Sequence, residues 1–183
     1  MAGRLQQEAG LIDVVPGMNN LTAIFDPERA SGDALLTAMK HHWNSATRDK
    51  QAGRKIQIPV RYGGIDGPDL EFVARHTGLT PEAVIAAHSA AQYAVYFLGF
   101  QPGFAYMGGL PEVLFTPRLA EPRLSVPAGS VGIGGTQTGI YPSTGPGGWQ
   151  LIGRTSVTLF DPTADQPIFL RAGDQIQFVA ESP

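Results

Sequence analysis

Between Gly129 and Gly153, nine of 25 residues are glycine, with Val131, Ile133, Ile140, Trp149, Leu151 and Ile152 spread among them. A helix loses roughly 1 kcal/mol for each glycine it holds in place of alanine. Turns, bulges and close backbone approaches instead favour glycine. The reading that fits is short strands joined by glycine turns and closed into a barrel or sandwich. The wider segment Tyr96–Arg154 shares this character, and the rest of the chain is organised around it.

That segment is rich in arginine and poor in acid. Arg118 and Arg123 each follow a proline, in TPR and EPR, and Arg154 closes the segment in IGRT. Glu112 and Glu121 are its only acids, and no lysine follows Lys55. Arginine presents a planar fork that meets carboxylate or phosphate bidentately, which lysine cannot do. A preceding proline stiffens the loop that carries it. Two readings stay open: the arginines cap turns or pair with acids such as Asp161 and Asp174, or they hold a small anion. In the second reading Ser130, Gln137, Thr138 and Tyr141 supply neutral polar groups beside them. GFQPGFAY places Phe100, Phe104 and Tyr106 around the turn dipeptide Pro102-Gly103. These rings either fill a barrel end or, with Gly103, wall a pocket.

Composition removes several classes of function. The chain has 183 residues, no cysteine and a net charge of −3. Thiolate nucleophiles, disulfides and zinc–thiolate sites are therefore excluded. The balance of charge offers no basic patch for nucleic acid or an anionic membrane. No apolar run reaches the roughly 18–20 residues of a membrane span, and MAGRLQQEAG lacks the apolar centre of a signal peptide. The cytoplasm is the expected compartment. No GxxxxGK[ST] is present, GIGGTQTG lacks the dinucleotide-binding spacing, and AGSVG is not a nucleophile elbow. Without a lysine beyond position 55, the later chain cannot form a Schiff base.

In chain order, residues 4–9 read as the end of a helix stopped by Gly10. LIDVV and LTAIF (Leu21–Phe25) read as a strand pair, and Ser31 or Asp33 caps a helix reaching about Asn44. His41 and His42 are adjacent and point apart. A paired metal site would favour i,i+4 spacing, so both are read as surface or packing residues and no metal site is expected. Ser45–Arg54 is the expected linker between a domain of residues 1–54 and one of residues 55–183. KIQIPVRY alternates as a strand, with Pro59 marking it as an edge. Pro68 takes the first helical position of one helix and Gly78 stops it, and Thr80-Pro81 starts a second, running towards Ala90. His88 follows Val84 by four residues and Ile85 by three, one turn on from an apolar face. It is either a core-edge histidine bonded to a backbone carbonyl or an acid, base or polar anchor at the barrel mouth. His76 is read as solvated. Tyr93–Leu98, TSVTLFD, IFL and QIQFVA read as strands, and PEVLF stays undecided.

Four strings carry a resemblance: VRYGGIDGPDL, FLGFQPGFAYMGGLPE, TPRLAEPRLSVPAGSVGIGGTQTGIYP and PGGWQLIGRTSVTLFDP. They fall in order, and the match runs from about Ile12 to Phe178. The chain resembles the family that contains the B subunit of 5-oxoprolinase, the KipI kinase inhibitor and the first subunit of allophanate hydrolase, and most resembles the 5-oxoprolinase member. The resemblance implies an α+β chain, a small α/β domain followed by a cyclophilin-like β-barrel. It also implies that the α/β domain lacks an opening strand and helix that members carry, so that Leu11–Asn44 would expose a sheet edge or be completed by another chain. The implied activity is ATP-dependent hydrolysis of 5-oxo-L-proline to L-glutamate, shared with two partners of the 5-oxoprolinase complex, an A-type component and a C-type, carboxyltransferase-like component. ATP with magnesium is the implied cofactor, held with the partners, and the chain alone would be inactive. The family also admits an inhibitor of a sensor histidine kinase, or part of a urea or allophanate amidolyase. Under the main reading His88, Arg118 and Arg123 carry catalysis. Phe100, Gly103, Phe104, Ser130, Gln137, Thr138, Tyr141 and Arg154 bind substrate.

Overall fold

The structure is a computed structural model, and it describes residues 5, 8, 10–17, 20–45 and 53–181. Contacts divide the chain into two compact units, residues 1–51 and 52–183. Most of the expected linker, and most of residues 4–9, lie outside the described residues.

In the first unit, β1 (Leu11–Pro16) pairs antiparallel with β2 (Leu21–Phe25), with a register shift between Leu11 and Asp13. Helix α1 (Gly32–Asn44) follows, and the Ser31 hydroxyl accepts the Ala34 N–H at 3.1 Å. This leaves one fewer orphan donor at the helix start. His42 Nε2 meets Glu8 Oε1 at 3.0 Å, and His41 is exposed, so the pair forms no shared site.

The second unit is a closed barrel of seven strands in the order β10-β3-β11-β4-β5-β8-β7. Its members are β3 (Lys55–Tyr62), β4 (Tyr93–Leu98), β5 (Ala105–Gly108), β7 (Ser130–Gly134), β8 (Gln137–Ile140), β10 (Gln150–Arg154) and β11 (Gln175–Ala180). Between β5 and β7 come a 3₁₀ turn, Glu112–Leu114, and β6 (Arg123–Val126), which pairs with β9 (Gly145–Gly147) in a separate two-stranded sheet. Strands β3 and β11 are parallel; the other barrel pairs are antiparallel. Inward residues alternate along the strands, as the pleat requires: Ile58 and Val60, Ile176 and Phe178, Tyr93 and Val95, and Val131 and Ile133 are all buried. Helices α2 (Leu70–Thr77) and α3 (Pro81–Ala90) add Leu70, Val73 and Val84 to the same core.

Three local expectations need correction. Pro59 does not mark an edge, because β3 lies between β10 and β11. Bonds along a strand alternate in direction, and the Val60 carbonyl already faces β11, accepting the Glu181 N–H at 2.9 Å. The ring nitrogen of Pro59 therefore faces the β10 side, where β10 pairs only with Arg61 and Tyr62, and no ladder bond is lost. TSVTLFD and IFL form no strands beyond an isolated bridge of Phe160 to Ile168. Asp69 stands at the cap of α2, so Pro68 precedes the helix rather than opening it.

Candidate functional site

The turn after β4 shapes one side of a cleft. Gly99 N–H bonds to the Phe104 carbonyl at 3.1 Å, and Phe104 N–H bonds back to the Gln101 carbonyl at 3.0 Å. Within this turn Phe100 has φ +70°, the one positive φ outside glycine among the described residues. A bulky side chain there is strained, by an amount on the order of 1–3 kcal/mol. In this turn the Phe100 ring stands outward, 60% exposed, while Phe104 turns inward. Gly103 sits at the tip of the same turn, against Leu159 and Phe160.

Phe104 is the hub of an aromatic cluster. Its ring centroid lies 5.5 Å from Phe100, 5.0 Å from Tyr106, and 5.5 Å from both Tyr141 and Trp149, each edge to face. This geometry suits rings that carry a negative face and a positive edge. The indole of Trp149 lies flat on β7 and β8 because glycines leave room for it. A Cβ on Gly134 would sit 2.5 Å from the indole, and one on Gly139 would sit 3.0 Å from it. The glycine density of the sequence is thus partly a bed for Trp149. These rings open onto a cleft of about 320 Å³, whose far wall is Arg118, Leu119, Pro122 and the turn Pro146–Gly148.

Arg118 is exposed and its guanidinium carbon stands 5.6 Å from the centre of the Trp149 ring, a cation–π contact. Its loop is strapped on both sides. Thr116 and Gly135 exchange backbone bonds at 3.3 and 2.8 Å, Gln150 Nε2 donates to the Pro117 carbonyl at 3.0 Å, and Leu119 N–H donates to the Gly148 carbonyl at 2.7 Å. Among the described residues the guanidinium itself meets no carboxylate. Burial pushes the Tyr141 hydroxyl above its ordinary range, against opposing pulls from the Trp149 backbone and the charges of Arg118 and Arg123. It is a neutral phenol.

Arg123 is placed differently. Its Nη2 donates to both carboxylate oxygens of Asp69, at 2.7 and 2.8 Å, and its Nη1 donates to the Trp149 carbonyl at 3.3 Å. Its donors on that side are committed inside the protein, so the substrate contact expected of it has no counterpart in this arrangement. Arg154 is likewise engaged: its Nε donates to the Ala128 carbonyl at 2.9 Å, and its Nη1 lies 4.0 Å from Asp66.

His88 lies inside the barrel rather than at its mouth and is fully buried. The Thr138 hydroxyl donates to the Gly132 carbonyl at 3.0 Å, so its oxygen accepts from His88 Nε2–H at 2.9 Å. That tautomer leaves Nδ1 as acceptor for the Tyr62 hydroxyl at 2.7 Å. Tyr93 donates to the His88 carbonyl at 2.8 Å, and the Phe178 ring stacks at 4.6 Å. Burial holds the imidazole down to about 3, so it is neutral, and burial raises the hydroxyls of Tyr62 and Tyr93. His88 and Thr138 thus form one satisfied polar network in the barrel core, away from the cleft.

Of the residues expected to form a site, the cleft brings together Phe100, Phe104, Arg118 and Tyr141. Ser130 and Gln137, on β7 and β8, do not line it, and neither do Gly103, Arg123 or Arg154. The sequence reading missed Trp149 as the platform and Asp69 as the partner of Arg123. PGGWQ held the signal for the first: a large ring set within glycines.

Comparison with known proteins places this geometry. A family described as carboxyltransferase domain, subdomain C and D, matches residues 1–170. The B subunit of 5-oxoprolinase from Escherichia coli O157:H7 is 53% identical over 182 residues, covering 99% of this chain and 83% of that protein. The chain belongs to the family of 5-oxoprolinase B subunits. A crystal structure of the protein TTHA0988 superposes with a TM-score of 0.83 at 40% identity, covering 99% of this chain; the chain spans 35% of that protein's length. The urea amidolyase of K. lactis superposes with a TM-score of 0.81 over 98% of this chain and 13% of its own length. At 22% identity, that likeness speaks for the fold alone. The α+β architecture with a cyclophilin-like barrel, expected from sequence, is the fold that these superpositions bear out.

Proposed function

We propose that this chain acts as the B subunit of an ATP-dependent 5-oxoprolinase, which opens 5-oxo-L-proline to L-glutamate together with an A-type component and a C-type, carboxyltransferase-like component. The observation that carries the reading is the 53% identity to a 5-oxoprolinase B subunit over nearly the whole chain. In this reading the barrel of residues 55–183 carries the ligand cleft, with residues 1–54 as a separate domain, and the complex works in the cytoplasm. Among the described residues no helix is long and apolar enough to cross a membrane.

The chain's own side chains fit only part of that chemistry. ATP supplies a phosphoryl group that activates the lactam oxygen, and such transfer needs metal and several cationic or amide donors at the phosphates. Among the described residues no three histidine, aspartate or glutamate side chains gather to hold magnesium. Among the described residues at the cleft Arg118 is the one uncommitted cation, so the triphosphate does not fit there. What these residues can do is bind and orient a small ligand on an aromatic wall with one positive charge. Activity therefore belongs to the complex. Expression of this chain in a bacterium deleted for its own B subunit, grown on 5-oxoproline as nitrogen source, should restore growth. Failure of a well-expressed chain to do so would count against the assignment.

A further inference from the structure

We infer that the aromatic cleft binds the substrate, 5-oxo-L-proline, with its carboxylate on Arg118 and its ring against the aromatic wall on the side of Phe100 and Tyr106, and that the nucleotide binds elsewhere in the complex. The inference rests on the reading of the chain as part of a 5-oxoprolinase. It follows from charge, commitment and size.

Among the described residues the cleft wall contains neither aspartate nor glutamate, and its single charge is Arg118. Among the described residues that guanidinium has no carboxylate partner, yet its backbone is fixed at Thr116, Pro117 and Leu119 and its face rests on Trp149. A cation held in place before the ligand arrives loses little freedom on binding, which is the condition for tight use of a fork against a carboxylate. Arg123 cannot add a second charge, because Asp69 occupies it. One positive group matches a monocarboxylate and falls short of a triphosphate. A volume of about 320 Å³ lies at the small end of ligand cavities and suits a single ring. The walls are apolar ring faces and edges, and the Tyr141 hydroxyl behind them is neutral and engaged with the Trp149 backbone, so it adds no charge. Trp149 acts here as a positioning residue: it carries Arg118 on its face and is itself fixed against Gly134 and Gly139.

The test uses both the chain and its complex. The chain has two tryptophans, and Trp43 is 70% exposed in the first unit, so Trp43→Phe leaves Trp149 as the only indole reporter. Titration with 5-oxo-L-proline should give a saturable fluorescence change, roughly tenfold weaker with 2-pyrrolidinone, which lacks the carboxylate, and ATP should not compete. In the reconstituted complex, Arg118→Gln should raise KM for 5-oxoproline about tenfold or more, leaving KM for ATP and the melting temperature unchanged. Competition by ATP would overturn the proposal. So would an unchanged KM for 5-oxoproline accompanied by weaker assembly of the complex, which would mean that a partner segment fills the cleft. A wild-type complex that turns over no 5-oxoproline would instead remove the functional reading, and the titration would then decide the cleft by itself.

Discussion

Arg123 and Asp69, 54 positions apart in the chain, are joined by two hydrogen bonds from one guanidinium nitrogen, at 2.7 and 2.8 Å. Asp69 Oδ2 also accepts the Leu151 N–H at 2.6 Å. One carboxylate at the start of α2 thereby ties β6 and β10 to the helix. Arg123→Lys keeps a charge but loses the fork, and should cost about 1–3 kcal/mol of stability in this partly exposed setting. Asp69→Ala should cost more, since it also strands a backbone donor. Urea denaturation of both variants and of the double variant measures the coupling. In the reconstituted complex, KM for substrate should stay at the wild-type value in Arg123→Lys.

His88 gives the chain an acid sensitivity whose direction is fixed by burial. Its folded value lies near 3 against an ordinary 6.5, so between these values the unfolded chain binds a proton that the folded chain does not. Stability is therefore full above about pH 6.5 and falls as pH drops towards 3, by roughly 1.4 kcal/mol per pH unit at most. His88→Gln should flatten that slope between pH 6 and 4. Asp174 is a separate matter: burial pulls its carboxyl upward, but its bonds to Arg54 and the Arg171 N–H outweigh that and hold it below 3.8. Its contribution is lost only at lower pH, and in both proteins. Equal slopes for wild type and variant would show that His88 is not the group responsible.

The glycine bed makes a graded prediction. A methyl group at Gly134 would lie 2.5 Å from the Trp149 indole, and one at Gly139 would lie 3.0 Å from it. Gly134→Ala should displace the ring and cost about 1–3 kcal/mol, as overpacking does, with Gly139→Ala milder. Near-ultraviolet circular dichroism should report the loss of the fixed indole in the same order. The same variants should weaken binding in the cleft, because Arg118 rests on that ring.

Much of this was legible in the sequence, for reasons that can be traced. Helix α3 begins where Thr80-Pro81 places it, because a cap and a pre-set φ act locally. The barrel strands follow from glycine turns and alternation, again local signals. Less legible was whatever depends on residues distant in the chain. Nothing near Arg123 announces Asp69, and nothing near His88 announces that Thr138 and Tyr62 would enclose it. TSVTLFD has the composition of a strand but has no strand partner beyond the bridge to Ile168, and propensity could not say so. Arg118 and Arg123 share the same proline-arginine motif, and only the fold separates the strapped, uncommitted cation from the structural one.

The most direct test of the proposed activity is an omit-one reconstitution. The chain is mixed with an A-type and a C-type 5-oxoprolinase component, and glutamate formed from 5-oxo-L-proline with ATP is measured. The measurement is repeated with each component left out. Glutamate should appear only when all three are present, and the chain alone should yield none. Glutamate from the chain alone or from a mixture lacking the chain, or none from the complete mixture, would contradict it.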